Sequence, residues 1–339
     1  MAEIKPVRIA VIGAGGIAGS IHLPALDRTP LAQLCAVCDI RRDRAQAAAE
    51  RFGIPAVYEN YIDMLRLERP EAAYVLVQPE QSFRIALDCL RAGVHTFVEK
   101  PAGITSYQAR TLERAARETG LICQVGFNRR HIPLIQQVVR RMRELTPIQQ
   151  VEGCFFKHGD AAFYDGCASS LMCDTIHAID CVRWIAGARP AQAATLIMRN
   201  DSPVDNAWNS IVRFENGITG IIKANYNTGG RVHTFEIHGP GASAYIDIGF
   251  GGMGASARIL HFGGQGTHSI SAAGPGKTDV ETLDGIGIAG SDEYFVYYGY
   301  LAEDEEFLRC VRTGERPLCD ISEAVASMEM VEMLEAARI

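Results

Sequence analysis

The stretch Val7–Ala18, VRIAVIGAGGIA, decides the fold. Val7 to Ile12 form a short β-branched run that reads as a buried parallel strand, and the run ends directly in glycine. Gly13 allows a tight turn, Gly15 lets the backbone approach a pyrophosphate, and Ala18 takes the third small position, where helix and strand pack closely. Gly16 and Ile17 complete the turn. A helix starting at about Ile17 offers free N–H groups and the positive end of its dipole to phosphates. Glycine turns are common, so the pattern alone is weak. Here it follows a strand, opens a helix, and is followed roughly two dozen residues later by Asp39 at the end of the second strand, which is the context of a dinucleotide site.

Asp39 can accept hydrogen bonds from an adenosine ribose diol and would repel a 2′-phosphate, which favours NAD over NADP. Arg41 and Arg42 pull the other way, since either can reach a phosphate at that corner; the plainer reading makes them a solvated helix start.

Working outward, the alternation of strand and helix continues. AQLCAVCDI, PAVYEN, AAYVLVQP, VHTFVEKP and LICQVGF read as strands, separated by helical runs such as RRDRAQAAAERFG and FRIALDCLRAG that stop at glycine. This spacing implies a doubly wound parallel sheet, a Rossmann domain over residues 1–127. After about Asn128 the texture changes. A helix, HIPLIQQVVRRMREL, leads into strand-like runs joined by turn signals such as Glu215-Asn216-Gly217. The expectation is a second, α+β domain over residues 128–339, built on a large, mostly antiparallel sheet and used for substrate binding and oligomerisation. Gly249 to Gly290, rich in glycine and poor in periodicity, reads as a loop or a strand-poor insertion.

A chain of 339 residues suits two domains. A net charge of −7 argues against a nucleic-acid footprint. No apolar run approaches the roughly 18 residues needed to span a bilayer, and the N-terminus runs straight into a strand, without the pattern of a signal peptide. The ten cysteines mostly lie inside apolar stretches, and Cys35 and Cys38 would point to opposite faces of one strand. Reduced core thiols in a cytoplasmic protein are the expectation.

Glu99-Lys100-Pro101 closes the apolar run GVHTFVEKP. A lysine at the carboxyl end of a strand in an open α/β sheet points into the crevice where such sheets bind ligands. With the glycine turn in the same domain, the combination reads as a nicotinamide-dependent oxidoreductase.

These residues resemble the Gfo/Idh/MocA oxidoreductase family, whose members oxidise or reduce sugars, inositols and related polyols. The resemblance runs through the glycine turn, Val77-Gln78-Pro79, Glu99-Lys100-Pro101, GFNRRH at Gly126 to His131, and IHAIDCVRWIAG at Ile176 to Gly187. It implies a sugar or polyol substrate, an NAD cofactor touched by Gln78, Pro79 and Glu99 as well as the turn, and a homodimer or homotetramer formed through the antiparallel sheet. There are departures. Where the family commonly has an aspartate four residues before the histidine, this chain has Cys173, with Asp174 one residue later; Ala168, Ser169 and Ser170 replace the usual glycines, and Gln78-Pro79-Glu80 stands where many members have TPN.

Oxidising a secondary alcohol requires a base for the hydroxyl proton and a group to hold the developing oxyanion. Lys100 is the candidate for polarising that oxygen or relaying its proton, and burial beside a positively charged ring would lower its pKa from ~10.4. His177 is the candidate proton acceptor, and Asp174 can flank the substrate or orient His177. The plainer readings make Lys100 a residue that orients cofactor and His177 a packed helix residue. Cys173, His177 and Cys181 form one helical stripe with zinc-ligand potential, but such stripes need a second element to close a site, and no metal is expected. Asn128 can bind the nicotinamide carboxamide or a sugar hydroxyl, and Arg129 or Arg130 a hydroxyl pair; Lys157, His158 and Tyr164 are weaker substrate candidates. Two other function classes stay open: an NAD-dependent lyase or glycosidase working through a transient 3-keto sugar, and a non-catalytic NAD-binding regulator.

Overall fold

The computed structural model describes residues 5–159, 163, 166–250, 254–262 and 278–339. The chain opens with β1 (Val7–Ile12), a π-turn over Ala18–His22 that continues as α1 (Leu23–Arg28), β2 (Ala32–Cys38), α2 (Arg42–Phe52), β3 (Ala56–Tyr58), α3 (Tyr61–Glu68), β4 (Ala72–Val75), α4 (Pro79–Arg91), β5 (His95–Val98), α5 (Ser106–Thr119) and β6 (Cys123–Val125). All six strands pair in parallel, in the order β3-β2-β1-β4-β5-β6. The order reverses between β1 and β4, the point at which such sheets open a crevice beyond their carboxyl ends. Strands covered on both faces read as continuous apolar runs, and Val7, Ile9, Val11, Val37, Tyr74 and Phe97 are all buried. The two quoted helical runs stop at their glycines: Gly53 and Gly93 take left-handed conformations at φ 64° and 82° beyond α2 and α4.

The chain continues through α6 (Pro133–Leu145), β7 (Gln150–His158), a π-turn over Leu171–Thr175 running into α7 (Ile176–Ala186), and the strands β8 (Pro190–Met198), β9 (Ala207–Phe214), β10 (Thr219–Asn225), β11 (Asn227–Gly239), β12 (Ala242–Asp247), β13 (Ser256–Phe262) and β14 (Thr278–Asp284). It closes with α8 (Gly285–Ala289), α9 (Tyr294–Tyr297), α10 (Tyr300–Thr313) and α11 (Ile321–Ala336). The eight later strands form one sheet, ordered β14-β13-β12-β11-β7-β10-β9-β8, antiparallel except where β7 meets β10. Helix α7 packs closest at Gly153 and Gly220, where an added Cβ would meet Val182 at 3.0 and 3.2 Å.

Described residues within 1–131, 162–176 and 293–332 form one compact unit, and those within 132–161, 177–292 and 333–339 a second. The chain therefore returns to the nucleotide-type unit near its end, and Phe307 and Leu308 of α10 join the core built around β1. The glycine-rich segment also departs from expectation. It holds two seven-residue strands, β13 and β14, paired antiparallel from Ser256–Asp284 to Phe262–Thr278. Its glycines flank these strands, so composition averaged over the segment hid them. Among the described residues, no helix is long and apolar enough to cross a membrane.

Candidate active site

Parallel pairing puts the ends of five strands in register. Ile12 pairs with Cys38 and Val75, Val75 with Val98, and Val98 with Val125. One residue beyond that row stand Asp39, Gly13, Leu76, Glu99 and Gly126, lined up along the carboxyl edge of the sheet. The candidate residues scattered through the sequence are thus gathered by a single register.

At Gly13, φ is 97° and a Cβ would lie 2.4 Å from the Leu76 carbonyl oxygen, so only glycine fits. Gly15 and Gly16 differ: no atom lies within 4 Å of where their Cβ would be. That open backbone, at the mouth of the helix that contains Ala18, suits a pyrophosphate, and the residues fit a dinucleotide. Asp39 braces the turn. One of its carboxylate oxygens accepts from the Ala14 N–H and the other from the Arg41 N–H, both at 2.8 Å. The Arg41 side chain is exposed and paired with Asp43. Gln78 is the N-cap residue of α4 and Pro79 its first residue, a position suited to proline's missing N–H.

Lys100 follows β5. Its main-chain N–H donates to Glu99 Oε2 at 3.0 Å, and its Nζ donates to the Cys173 carbonyl oxygen at 2.8 Å. The structure thus brings together Lys100 and the π-turn that carries Cys173 and Asp174. The Cys173 side chain is buried, and burial pushes its thiol up to about 12, so it is protonated at neutral pH. It cannot stand in for an aspartate as a base; its contribution is a main-chain carbonyl. Asp174 is half-buried, and His177, three residues on in α7, is 5% exposed.

Asn128 is fully buried; its amide donates to the Tyr298 carbonyl at 2.8 Å and its Oδ1 accepts from Arg129 at 2.6 Å. Arg129 lies over the Tyr298 ring at 4.9 Å. Arg130 is buried against the Leu318 carbonyl and Glu323. These three hold the last helices to the nucleotide-type unit. In the other unit, Lys157 sits 4.8 Å over the Tyr226 ring and His158 is exposed. Tyr164 lies outside the described residues.

Reading the sequence alone passes over His22. It is fully buried, with Nδ1 3.0 Å from Asp304 and Nε2 3.1 Å from Glu99. Its only sequence signal is a histidine amid the apolar residues of the helix that follows the glycine turn.

Two models of the Gfo/Idh/MocA family match the chain: the oxidoreductase family's NAD-binding Rossmann fold over residues 7–127 and the C-terminal domain over residues 147–245. The chain belongs to this family. It is similar to D-glucoside 3-dehydrogenase of Escherichia coli K12, 34% identical over 134 residues, which are 40% of this chain and 38% of that protein. It is also similar to scyllo-inositol 2-dehydrogenase (NAD(+)) of Bacillus subtilis 168, 25% identical over 96% of this chain and 92% of the relative. Across the first four curated relatives the match spans 38% to 62% of their own length. In fold the chain matches KijD10, a 3-ketoreductase from Actinomadura kijaniata solved with NADP and TDP-benzene, with a TM-score of 0.79, 22% identity and 98% of both chains covered.

Proposed function

We propose that this chain is an NAD(H)-dependent oxidoreductase that moves a hydride between the cofactor and a secondary alcohol or ketone of a sugar, inositol or related polyol. The observation that carries the reading is Lys100, held at the carboxyl edge of the Rossmann sheet by hydrogen bonds at both ends, in register with an open glycine turn. The names of the sugar and inositol dehydrogenases among its relatives support the substrate class.

The nicotinamide, when bound, supplies the hydride acceptor or donor. Gly13, Gly15, Gly16, Ile17 and Ala18 hold its pyrophosphate through backbone N–H groups, and Asp39 takes the adenosine ribose, which favours NAD over NADP. Gln78, Pro79 and Glu99 border the same edge of the sheet. Lys100 exchanges its bond to the Cys173 carbonyl for the substrate oxygen and stabilises negative charge there. His177 takes the hydroxyl proton, and Asp174 binds a neighbouring hydroxyl. The interior hydrogen bonds of Asn128 and Arg129 argue that they shape the site from behind.

The sheet of the second unit supports a homo-oligomer: Leu196, Ile211, Tyr245 and Val280 are exposed on β8, β9, β12 and β14. A dimer or dimer of dimers covers them. Ten free cysteines fit a cytoplasmic setting. Calorimetry with NAD and NADP, followed by a sugar and inositol panel read at the NADH absorbance, tests the proposal; no binding of either dinucleotide would overturn it.

A further inference from the structure

The structure assigns His22 as a positioning residue: a doubly protonated imidazole that ties the helix after the glycine turn to the lysine segment by holding Glu99 in place. His22 closes the π-turn, and the extra residue of that turn puts Ile21, His22 and Leu23, three in succession, inside the protein. The imidazole lies edge-on to Phe97 and Tyr300, at centroid distances of 5.2 and 5.8 Å, and fully out of solvent. Both ring nitrogens face carboxylates: Nδ1 meets Asp304 of α10 at 3.0 Å, and Nε2 meets Glu99 at 3.1 Å.

A neutral imidazole has one donor, so one of those nitrogens would direct its lone pair at a carboxylate oxygen. Two protons on the ring satisfy both contacts. The charges agree. Burial alone would depress the His22 pKa, but Asp304, then Glu99, raise it to about 10. The Glu99 carboxyl is pushed up by burial and drawn down further by His22, with a net lowering. Glu303, buried nearby, is pushed well above the ordinary carboxylate range by burial and by Glu99 and Asp304, so it adds no third negative charge.

Glu99 then has no freedom left. Oε1 is held by His22, Oε2 accepts the Lys100 main-chain N–H, and the carboxylate lies against Gly126, where a Cβ would sit 3.1 Å from Oε1. The link runs Asp304, His22, Glu99, Lys100. It fixes where the Lys100 side chain starts, and the Cys173 carbonyl receives its end. Its consequence for turnover rests on the role proposed for Lys100; the link itself is tested without turnover, so the two can fail separately.

The test compares the chain with His22→Gln and with His22→Gln/Glu99→Gln. A glutamine at 22 presents one donor and one acceptor, which sets a carbonyl against the Glu99 carboxylate. An amide at 99 restores a donor–acceptor pair and keeps an oxygen for the Lys100 N–H. The readout is the rate of Lys100 acetylation by acetic anhydride, followed by mass spectrometry against Lys157 and Lys223. We expect His22→Gln to raise Lys100 labelling about fivefold, the worth of one lost hydrogen bond, and the second substitution to bring it back to within about twofold. Unchanged labelling in a folded His22→Gln, or no recovery in the double variant, overturns the proposal. Should these variants not fold, ¹⁵N NMR of the unaltered chain decides: both His22 ring nitrogens protonated at neutral pH supports the assignment, and a single-proton tautomer overturns it.

Discussion

The Lys100 ammonium donates to the main-chain carbonyl of Cys173 at 2.8 Å. The end of the lysine is held by a backbone dipole, which no side-chain substitution at 173 can remove. Two expectations follow. Lys100→Met should lower turnover by about 10²–10⁴-fold, the usual cost of a positioned acid/base group, with dinucleotide affinity much less affected. Cys173→Ala should leave turnover within about threefold and cost roughly 1–2 kcal/mol of stability for the small void. A hundredfold loss in Cys173→Ala, measured beside an unchanged melting profile, would mean that the thiol takes part.

The glycine turn separates folding from binding. Gly13→Ala should destabilise the protein by several kcal/mol, since φ is 97° and the Cβ would lie 2.4 Å from a fixed carbonyl oxygen. Gly15→Val should leave the melting temperature close to the parent's, because nothing lies within 4 Å of the new Cβ, yet weaken NAD binding at least about tenfold by filling the phosphate path. Thermal melts with and without NAD distinguish the two. Equal loss of stability in both variants would contradict the assignment of Gly15 to the ligand.

Asp39 accepts the Ala14 and Arg41 N–H groups, and the proposed function gives it the adenosine ribose as well. Asp39→Asn should keep one brace while removing the charge that opposes a 2′-phosphate, so the ratio of NADP to NAD affinity should rise about tenfold or more. Calorimetry with both dinucleotides measures it; a parent chain that binds NADP more tightly than NAD contradicts the cofactor reading.

Acid stability has a local probe away from the site. Arg312 grips Glu71 with two hydrogen bonds, at 2.6 and 2.8 Å, and with the Arg8 N–H lowers its pKa to about 2 against the opposing effect of partial burial. A depressed carboxylate stabilises the fold above its unfolded pKa, and that stability is lost as pH falls through the folded value. Arg312→Gln should therefore melt lower than the parent at neutral pH, and the gap should close between about pH 4.5 and about 2. A gap that stays constant over that window would assign the loss to packing. The pair is partly exposed, so the gap is small.

Much of this was legible in the sequence. The glycine turn, the alternating strands and helices, and the lysine motif each have a local signature, and parallel register alone carries Asp39, Gly13 and Glu99 to one edge. What was hidden depends on distance. Nothing near His22 announces Asp304, 282 residues away, which it meets. Asn128 and Arg129 look like cleft residues because they follow the last Rossmann strand, but Tyr298 and its neighbours fold back to bury them. The strands β13 and β14 were masked by the glycines around them, and the identity of the substrate leaves no mark of its own.

The most direct test of the account is net NADH formation by the purified chain with NAD and a panel of inositols, sugars and glycosides. Stoichiometric NADH is expected with at least one cyclic polyol or sugar, reduced about 10²–10⁴-fold in Lys100→Met. NAD that binds but is never reduced by any member of the panel, or a substrate cleaved with no net NADH, would contradict it.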